Sequence, residues 1–314
     1  MRILITGSSG QIGTNLGLYL LNEGHEVFGI DVRRNTWTDK IPTVYQDLSV
    51  AYHQFDKGIG LVEYPLDIDV VVHFAAHAKV HELVEHPGRA LSNITMTFNV
   101  LEFCRHHNIP IIFSSTREVY GDINRYITEE SHANFAFTES PYSASKISGE
   151  ALVYSYARCY GLRYLVFRFS NVYGRFDNDL ERMERVIPLF IEKIHKGEPI
   201  TIFGEEKLLD FTYIDDCIDG VMRGIELLAS DKEVNQTINL AFGQGNTLTA
   251  MANFIGDNVD AKPEIIIKPT RAGEVTHYVA NIGKAYAVLG YRPTTSLEDG
   301  IAKAVAWSLD WSTE

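Results

Sequence analysis

Positive charge is in short supply in this chain: 28 Lys and Arg stand against 41 Asp and Glu, a formal charge of −13 over 314 residues. A nucleic-acid surface needs clustered Lys and Arg, so that partner class is set aside, although an anionic ligand can still find a local site. Cysteine is scarce as well. Cys104, Cys159 and Cys217 are odd in number, widely scattered and without a C-x-x-C, which argues against a zinc site, fits a reducing compartment and reads as buried structural thiols. No metal is expected. No apolar run is long enough to span a bilayer, and Met1–Gly7 passes straight into a strand and a glycine turn without the regions of a signal peptide. A cytoplasmic protein with no membrane partner is the expectation. Linkers, repeats and low-complexity segments are also missing, so at ~100 to 200 residues per domain the chain forms one or two domains.

What the sequence does contain is alternation. Short apolar runs at Arg2–Ile5, Glu26–Ile30, Val70–Phe74, Pro110–Ser114 and Tyr164–Phe169 are separated by amphipathic stretches, among them Ile12–Asn22 and roughly Ile94–His106. Repeated strand-helix-strand units mean a parallel sheet covered on both faces, so the fold class is α/β, a doubly wound Rossmann-type sheet. After Asn171 the rhythm changes, with Pro188, Pro199 and Gly204 marking a mixed texture. The expected division is a dinucleotide-binding domain over 1–170 with 210–235, and a smaller, interleaved substrate lobe over 171–209 with 236–314.

The first strand runs into Thr6-Gly7-Ser8-Ser9-Gly10-Gln11-Ile12-Gly13. Gly7 permits the tight turn, Gly10 a close approach to a pyrophosphate and Gly13 close packing of the helix, whose N-terminal N–H groups attract an anion. Gly7, Gly10, Gln11, Ile12 and Gly13 are therefore candidate cofactor contacts. Asp31 ends the second strand 18 residues after Gly13, close to the ~20 expected of a ribose-binding acid. A carboxylate accepts a 2′-hydroxyl and repels a 2′-phosphate, which favours NAD over NADP; Arg33 and Arg34, which follow at once, read as solvated surface charges, with service to a 2′-phosphate as the alternative. Tyr142 and Lys146, in S-P-Y-S-A-S-K, lie four apart on a predicted helix and share a face. A cation there favours phenolate and makes the tyrosine a general base.

Taken together, these motifs resemble the extended short-chain dehydrogenase/reductases, specifically the nucleotide-sugar epimerase, dehydratase and decarboxylase family, over nearly the whole chain. The resemblance implies that Asp47 and Leu48 lie on the adenine side, that Phe74, Ala75 and Ala76 after His73 line the cofactor, and that Asn93 and Ser114 do so with Tyr142 and Lys146. It implies Thr116 as the active-site hydroxyl and Glu118 as a candidate acid. On the substrate side it implies Asn171, Phe203, Arg271, Glu274 and Tyr278, with Arg271-Ala272-Gly273-Glu274 as a diphosphate and ribose clamp and Tyr278 as a gate against bulky sugar substituents. The residues alone leave blander readings open: Asn93 as a helix hydrogen bonder, Phe203 as core, His73, His77 and His81 as satisfied residues, Tyr278 as packing. A homodimer through the helices around Ile94–His106 and Tyr142–Tyr160 is also implied.

The implied reaction begins when Tyr142 removes a sugar hydroxyl proton, Thr116 holds the same oxygen and hydride passes to NAD. Epimerases return the hydride to the other face; dehydratases and decarboxylases insert a further step. Dehydratases of the family carry Asp-Glu after the threonine, whereas this chain has Arg117-Glu118. Decarboxylases and epimerases carry an arginine where Leu209 stands. Epimerisation needs no additional acid or base, so C4 epimerisation of a nucleotide-diphosphate sugar, most simply a UDP-hexose or UDP-hexuronate, is the expected activity. A decarboxylase or dehydratase using Glu118 is the alternative, and a non-catalytic NAD-binding sensor a distant third.

Overall fold

The computed structural model describes residues 1–50, 67–122, 127–179, 185–230, 232, 234–271 and 273–311. The chain opens with β1 (Arg2–Thr6), α1 (Gln11–Asn22), β2 (Glu26–Asp31), β3 (Thr43–Tyr45), β4 (Val70–His73), α2 (Val80–Glu85) and α3 (Gly88–His107). Next come β5 (Ile111–Thr116), a 3-10 turn over Arg117–Tyr120, α4 (Pro141–Tyr160), β6 (Tyr164–Phe169), β7 (Asn171–Tyr173), α5 (Val186–His195) and β8 (Ile200–Phe203). The remainder holds β9 (Leu208–Tyr213), α6 (Ile214–Ala229), β10 (Gln236–Leu240), β11 (Gly245–Thr247), α7 (Leu248–Val259), β12 (Ile265–Lys268), β13 (His277–Tyr278), α8 (Gly283–Leu289) and α9 (Leu297–Trp311).

Seven strands form one sheet in the order β10-β6-β5-β4-β1-β2-β3, every pair parallel. This is the Rossmann-type doubly wound arrangement. Its strands are apolar on both sides because helices cover both faces: Ile3, Ile5, Val70 and Val72 enter one buried cluster, while their neighbours Leu4 and Val71 enter the other. Connectivity reverses between β1 and β4, so a crevice opens at their carboxyl ends, where ligands of such sheets bind. A second sheet, β11-β9-β13 with β7 also on β9, and the two-stranded β12-β8 pair build the smaller layer.

Three boundaries differ from expectation. Gln236–Leu240, assigned from sequence to the small lobe, is the edge strand of the large sheet, parallel to β6; its polar alternation disguised it. Asp210–Tyr213, assigned to the large lobe, belongs to β9 of the small sheet. The helix expected at Ile94–His106 begins at Gly88, directly after Pro87, because proline suits the start of a helix as well as its end. Cys159 is exposed, unlike the buried Cys104 and Cys217.

Candidate active site

The glycine loop is built by close approach. Gly7 has φ +75°, and a Cβ on it would lie 2.8 Å from the Ala75 nitrogen; one on Gly13 would lie 2.2 Å from the Gly7 carbonyl oxygen. Gly10 caps α1 without any side-chain hydrogen bond, leaving the first-turn N–H groups for a ligand. The Gln11 Nε2 is buried without a partner, while its Oε1 accepts from Arg185 at 2.6 Å. Asp31 accepts from the Ser9 N–H at 2.9 Å and the Arg33 N–H at 3.2 Å, and its remaining lone pairs suit ribose hydroxyls. A cradle without Cβ atoms, an orphan amide donor and this carboxylate fit a dinucleotide.

Arg33 departs from the surface reading. Its guanidinium donates to the Ser9 carbonyl and lies 3.9 Å from Asp179, and burial lowers its pKa. It braces the loop from outside; Arg34 is the exposed member of the pair.

Phe74, Ala75 and Ala76 follow β4, partly buried. His73 is sealed beneath them: Nδ1 meets the Thr6 hydroxyl at 2.7 Å and Nε2 the Thr97 hydroxyl at 3.4 Å. Burial, with Lys146 adding to it, pushes His73 down to about 3, so it is a neutral interior residue. Exposed His81 pairs with Glu85 at 3.3 Å. Asn93 spends its amide on the His77 backbone, at 2.8 and 3.0 Å, and on the Ser145 hydroxyl at 3.1 Å; it clips the segment after β4 to α4. Asp47 closes a local turn onto Ser49 at 2.8 Å, and the Leu48 side chain sits in the core.

The reactive set converges where β5 ends and α4 begins. Ser140 and Ser143 form a capping box and Pro141 occupies the first turn, so S-P-Y-S fixes the helix start and holds Tyr142 near Thr116. Lys146 donates to the Ser114 carbonyl at 2.7 Å, with its ammonium 6.0 Å from the Tyr142 ring centre. The phenol is not lowered as expected: burial, reinforced by Glu118 and opposed by Thr116, pushes Tyr142 up to about 12. Desolvation of the phenolate outweighs the Thr116 hydrogen bond and the charges of Arg185 and Arg117, and the Lys146 ammonium is spent on a carbonyl. Burial also pushes Lys146 down to about 8, against Glu150.

Beneath this set lies a charged network invisible in the motifs. Arg168 and Glu150 form a two-pronged buried pair at 2.8 and 2.6 Å. Glu150 also accepts from Ser115, and Arg168 reaches Tyr120 at 3.1 Å and the Glu130 carbonyl at 2.8 Å.

The residues expected on the substrate side come mainly from the smaller layer. Asn171 donates to the Asp210 carbonyl at 2.9 Å. The Arg271 guanidinium stacks 3.8 Å over Phe203, so Phe203 supports a cation rather than core; Ala272 lies outside the described residues. Glu274 pairs with buried Lys207 at 2.6 Å, and Arg117 with Glu118 at 2.9 Å. Tyr278 is 1% exposed and stacks on Tyr120 at 5.8 Å, with its hydroxyl buried without a partner. Sequence reasoning missed Arg117, Lys207, Glu150 and Arg185. For Lys207 the signal was a lone lysine between polar and apolar strand residues.

Among the described residues no cluster of His, Cys, Asp or Glu could hold a metal ion, and no helix is long and apolar enough to cross a membrane.

The pattern of the NAD dependent epimerase/dehydratase family matches residues 3–241. A putative UDP-glucose 4-epimerase of Methanocaldococcus jannaschii is 31% identical over 97% of this chain and 97% of its own length. The crystal structure of Thermotoga maritima UDP-glucose 4-epimerase with UDP-glucose superposes with a TM-score of 0.89 at 28% identity, covering 100% of both chains. That of Bacillus cereus UDP-glucuronic acid 4-epimerase with UDP-glucuronic acid and NAD gives 0.86 at 26% identity, over 99% of this chain and 100% of that one.

Proposed function

The chain belongs to the NAD dependent epimerase/dehydratase family, and from that premise we propose that it inverts C4 of a UDP-hexose or UDP-hexuronate through a transient 4-keto sugar. The observation that carries the reading is the meeting of Thr116, Tyr142 and Lys146 beside the glycine cradle; a protein that only binds a dinucleotide has no use for a proton-transfer set. Bound NAD supplies a hydride acceptor that becomes the donor for the return step. Gly7, Gly10, Gln11 and Gly13 hold its pyrophosphate and Asp31 its ribose. Tyr142 takes the C4 hydroxyl proton and later returns it, Thr116 orients the same oxygen, and Lys146 favours the phenolate once its carbonyl partner is exchanged for ribose hydroxyls. Arg271 takes the diphosphate, to which a guanidinium is matched in shape and charge.

Incubation with UDP-glucose, UDP-galactose and the corresponding uronates, followed by separation of products, tests the reading: C4 epimers are expected, without loss of carbon dioxide or water. Glu118 beside Tyr142 favours decarboxylation or dehydration as the second reading. Release of either small molecule, abolished in Glu118→Gln, would replace the epimerase assignment. Cytoplasmic location and a homodimer through α3 and α4 complete the proposal; Leu91 and Tyr160 on those helices are 68% and 57% exposed, and a monomeric mass in light scattering would remove the dimer.

A further inference from the structure

Three polar atoms linked through Arg117 are buried without partners: the Arg117 Nη1, the Glu118 Oε2 and the Tyr278 hydroxyl. They belong together. The other prongs of Arg117 and Glu118 pair at 2.9 Å, and the two side chains are 13% and 7% exposed. Both charges act on Tyr142, and the Arg117 charge acts on Tyr278. Across the lobe boundary the second pair, Lys207 with Glu274, lies close enough to Glu118 for both its charges to act there. Leu209 supplies no cation from β9.

Buried polar atoms left unpaired in the free protein are costly, so each invites a ligand group of the opposite hydrogen-bonding sense. Here the set is one donor, one acceptor and one phenol able to do either. Hydroxyl groups satisfy all three at once. A carboxylate satisfies the donor but sets a second negative charge beside the Glu118 oxygen, and among the described residues the nearby cations Arg117 and Lys207 are each already paired with a carboxylate, while Arg271 is assigned to the diphosphate. Like charges sharing a dry site repel strongly. We infer that the Arg117–Glu118 pair is a receptor for sugar hydroxyls and selects a neutral UDP-hexose over a UDP-hexuronate. The inference rests on the C4-epimerase reading and narrows its substrate class. It makes Glu118 a specificity residue, held in place by the neighbouring guanidinium.

The test uses the full chain with NAD. Specificity constants for UDP-glucose and UDP-galactose are compared with those for UDP-glucuronate and UDP-galacturonate, and calorimetry measures UDP-glucose and UDP-glucuronate binding apart from turnover. Expected are a preference for the neutral pair of at least about 100-fold in kcat/KM and at least about tenfold in affinity. Glu118→Gln keeps an acceptor and removes the charge, so it should cut the preference about tenfold or more by gaining on the uronates. That ratio is measured within one preparation and does not depend on how much of the variant folds. A wild-type preference for the uronate in either assay, or a ratio unmoved by Glu118→Gln, overturns the inference. If neither sugar pair is epimerised, the epimerase reading fails; the affinity ratio still decides the selectivity.

Discussion

The nucleotide side and the sugar side of the crevice are made of different material. On the nucleotide side, residues 6–31 and the start of the segment after β4 form a cradle almost entirely from backbone: glycines without room for a Cβ, open helix N–H groups and one carboxylate. On the sugar side, long charged side chains form ion pairs, one within the 3-10 turn after β5 and one between the residue before β9 and the segment before β13. Backbone sites demand particular residues at particular spacings. Side-chain sites demand only that charges balance, and many sequences balance them.

Removing the base gives the largest separation between the two sides. Tyr142→Phe should lower turnover by roughly 100 to 10,000-fold, the range of a lost acid-base group, while NAD stays bound; Thr116→Val should cost less. Turnover near wild type would end the role of Tyr142. Loss of NAD from the Phe variant would show that the two sides are one unit.

Glu150→Ala probes what both sides rest on. It leaves the Arg168 guanidinium buried and unpaired, and removing one partner of such a pair costs about 3–5 kcal/mol, to be read as a lower urea midpoint. A loss under about 1 kcal/mol would mean that water or a rearranged Tyr120 replaces the carboxylate. Asp31→Ala acts on the nucleotide side alone: one lost hydrogen bond to a charged acceptor is worth about 1.5–3 kcal/mol, a fall in NAD affinity of about tenfold or more. Tenfold tighter binding of NADP by the wild type would instead hand the ribose end to Arg33.

The same contrast explains what was legible. The parallel, doubly wound sheet followed from strand-helix alternation, though its edge strand β10 did not, and Gly7, Gly13 and Asp31 stand together because their spacing is dictated by a turn. Tyr142 and Thr116 were found by motif, but the pKa of the phenol was not, since it is raised first by burial, and burial is a property of the folded whole. Arg33 was misjudged because a charge after a strand looks solvated until the loop that it braces is seen. Glu150 and Arg168 are 18 residues apart, and Glu118 reads as a candidate acid with no sign of its pairing to Arg117; nothing short of the packing shows that both pairs are buried. What the Leu48 and Asn93 side chains do was not legible either, since one fills core and the other spends its amide on the protein.

The finest comparison is between two neighbouring groups titrating in opposite senses. Tyr142 is pushed up to about 12 by burial, with Glu118 adding and Thr116 opposing; Lys146 is pushed down to about 8 by burial, with Glu150 opposing. The base acts deprotonated, so below pH 8 kcat/KM should rise about tenfold per pH unit as the small phenolate fraction grows. Above pH 8 Lys146 loses its proton and with it the charge that favours phenolate, so the slope falls, and by pH 9 the rate lies about tenfold below the extrapolated line. Lys146→Arg keeps a cation through this range, so its profile, whatever its height, should run straight past pH 8. A bend that survives in the Arg variant would belong to another group, and a flat profile in the wild type would mean that the phenol is not the base.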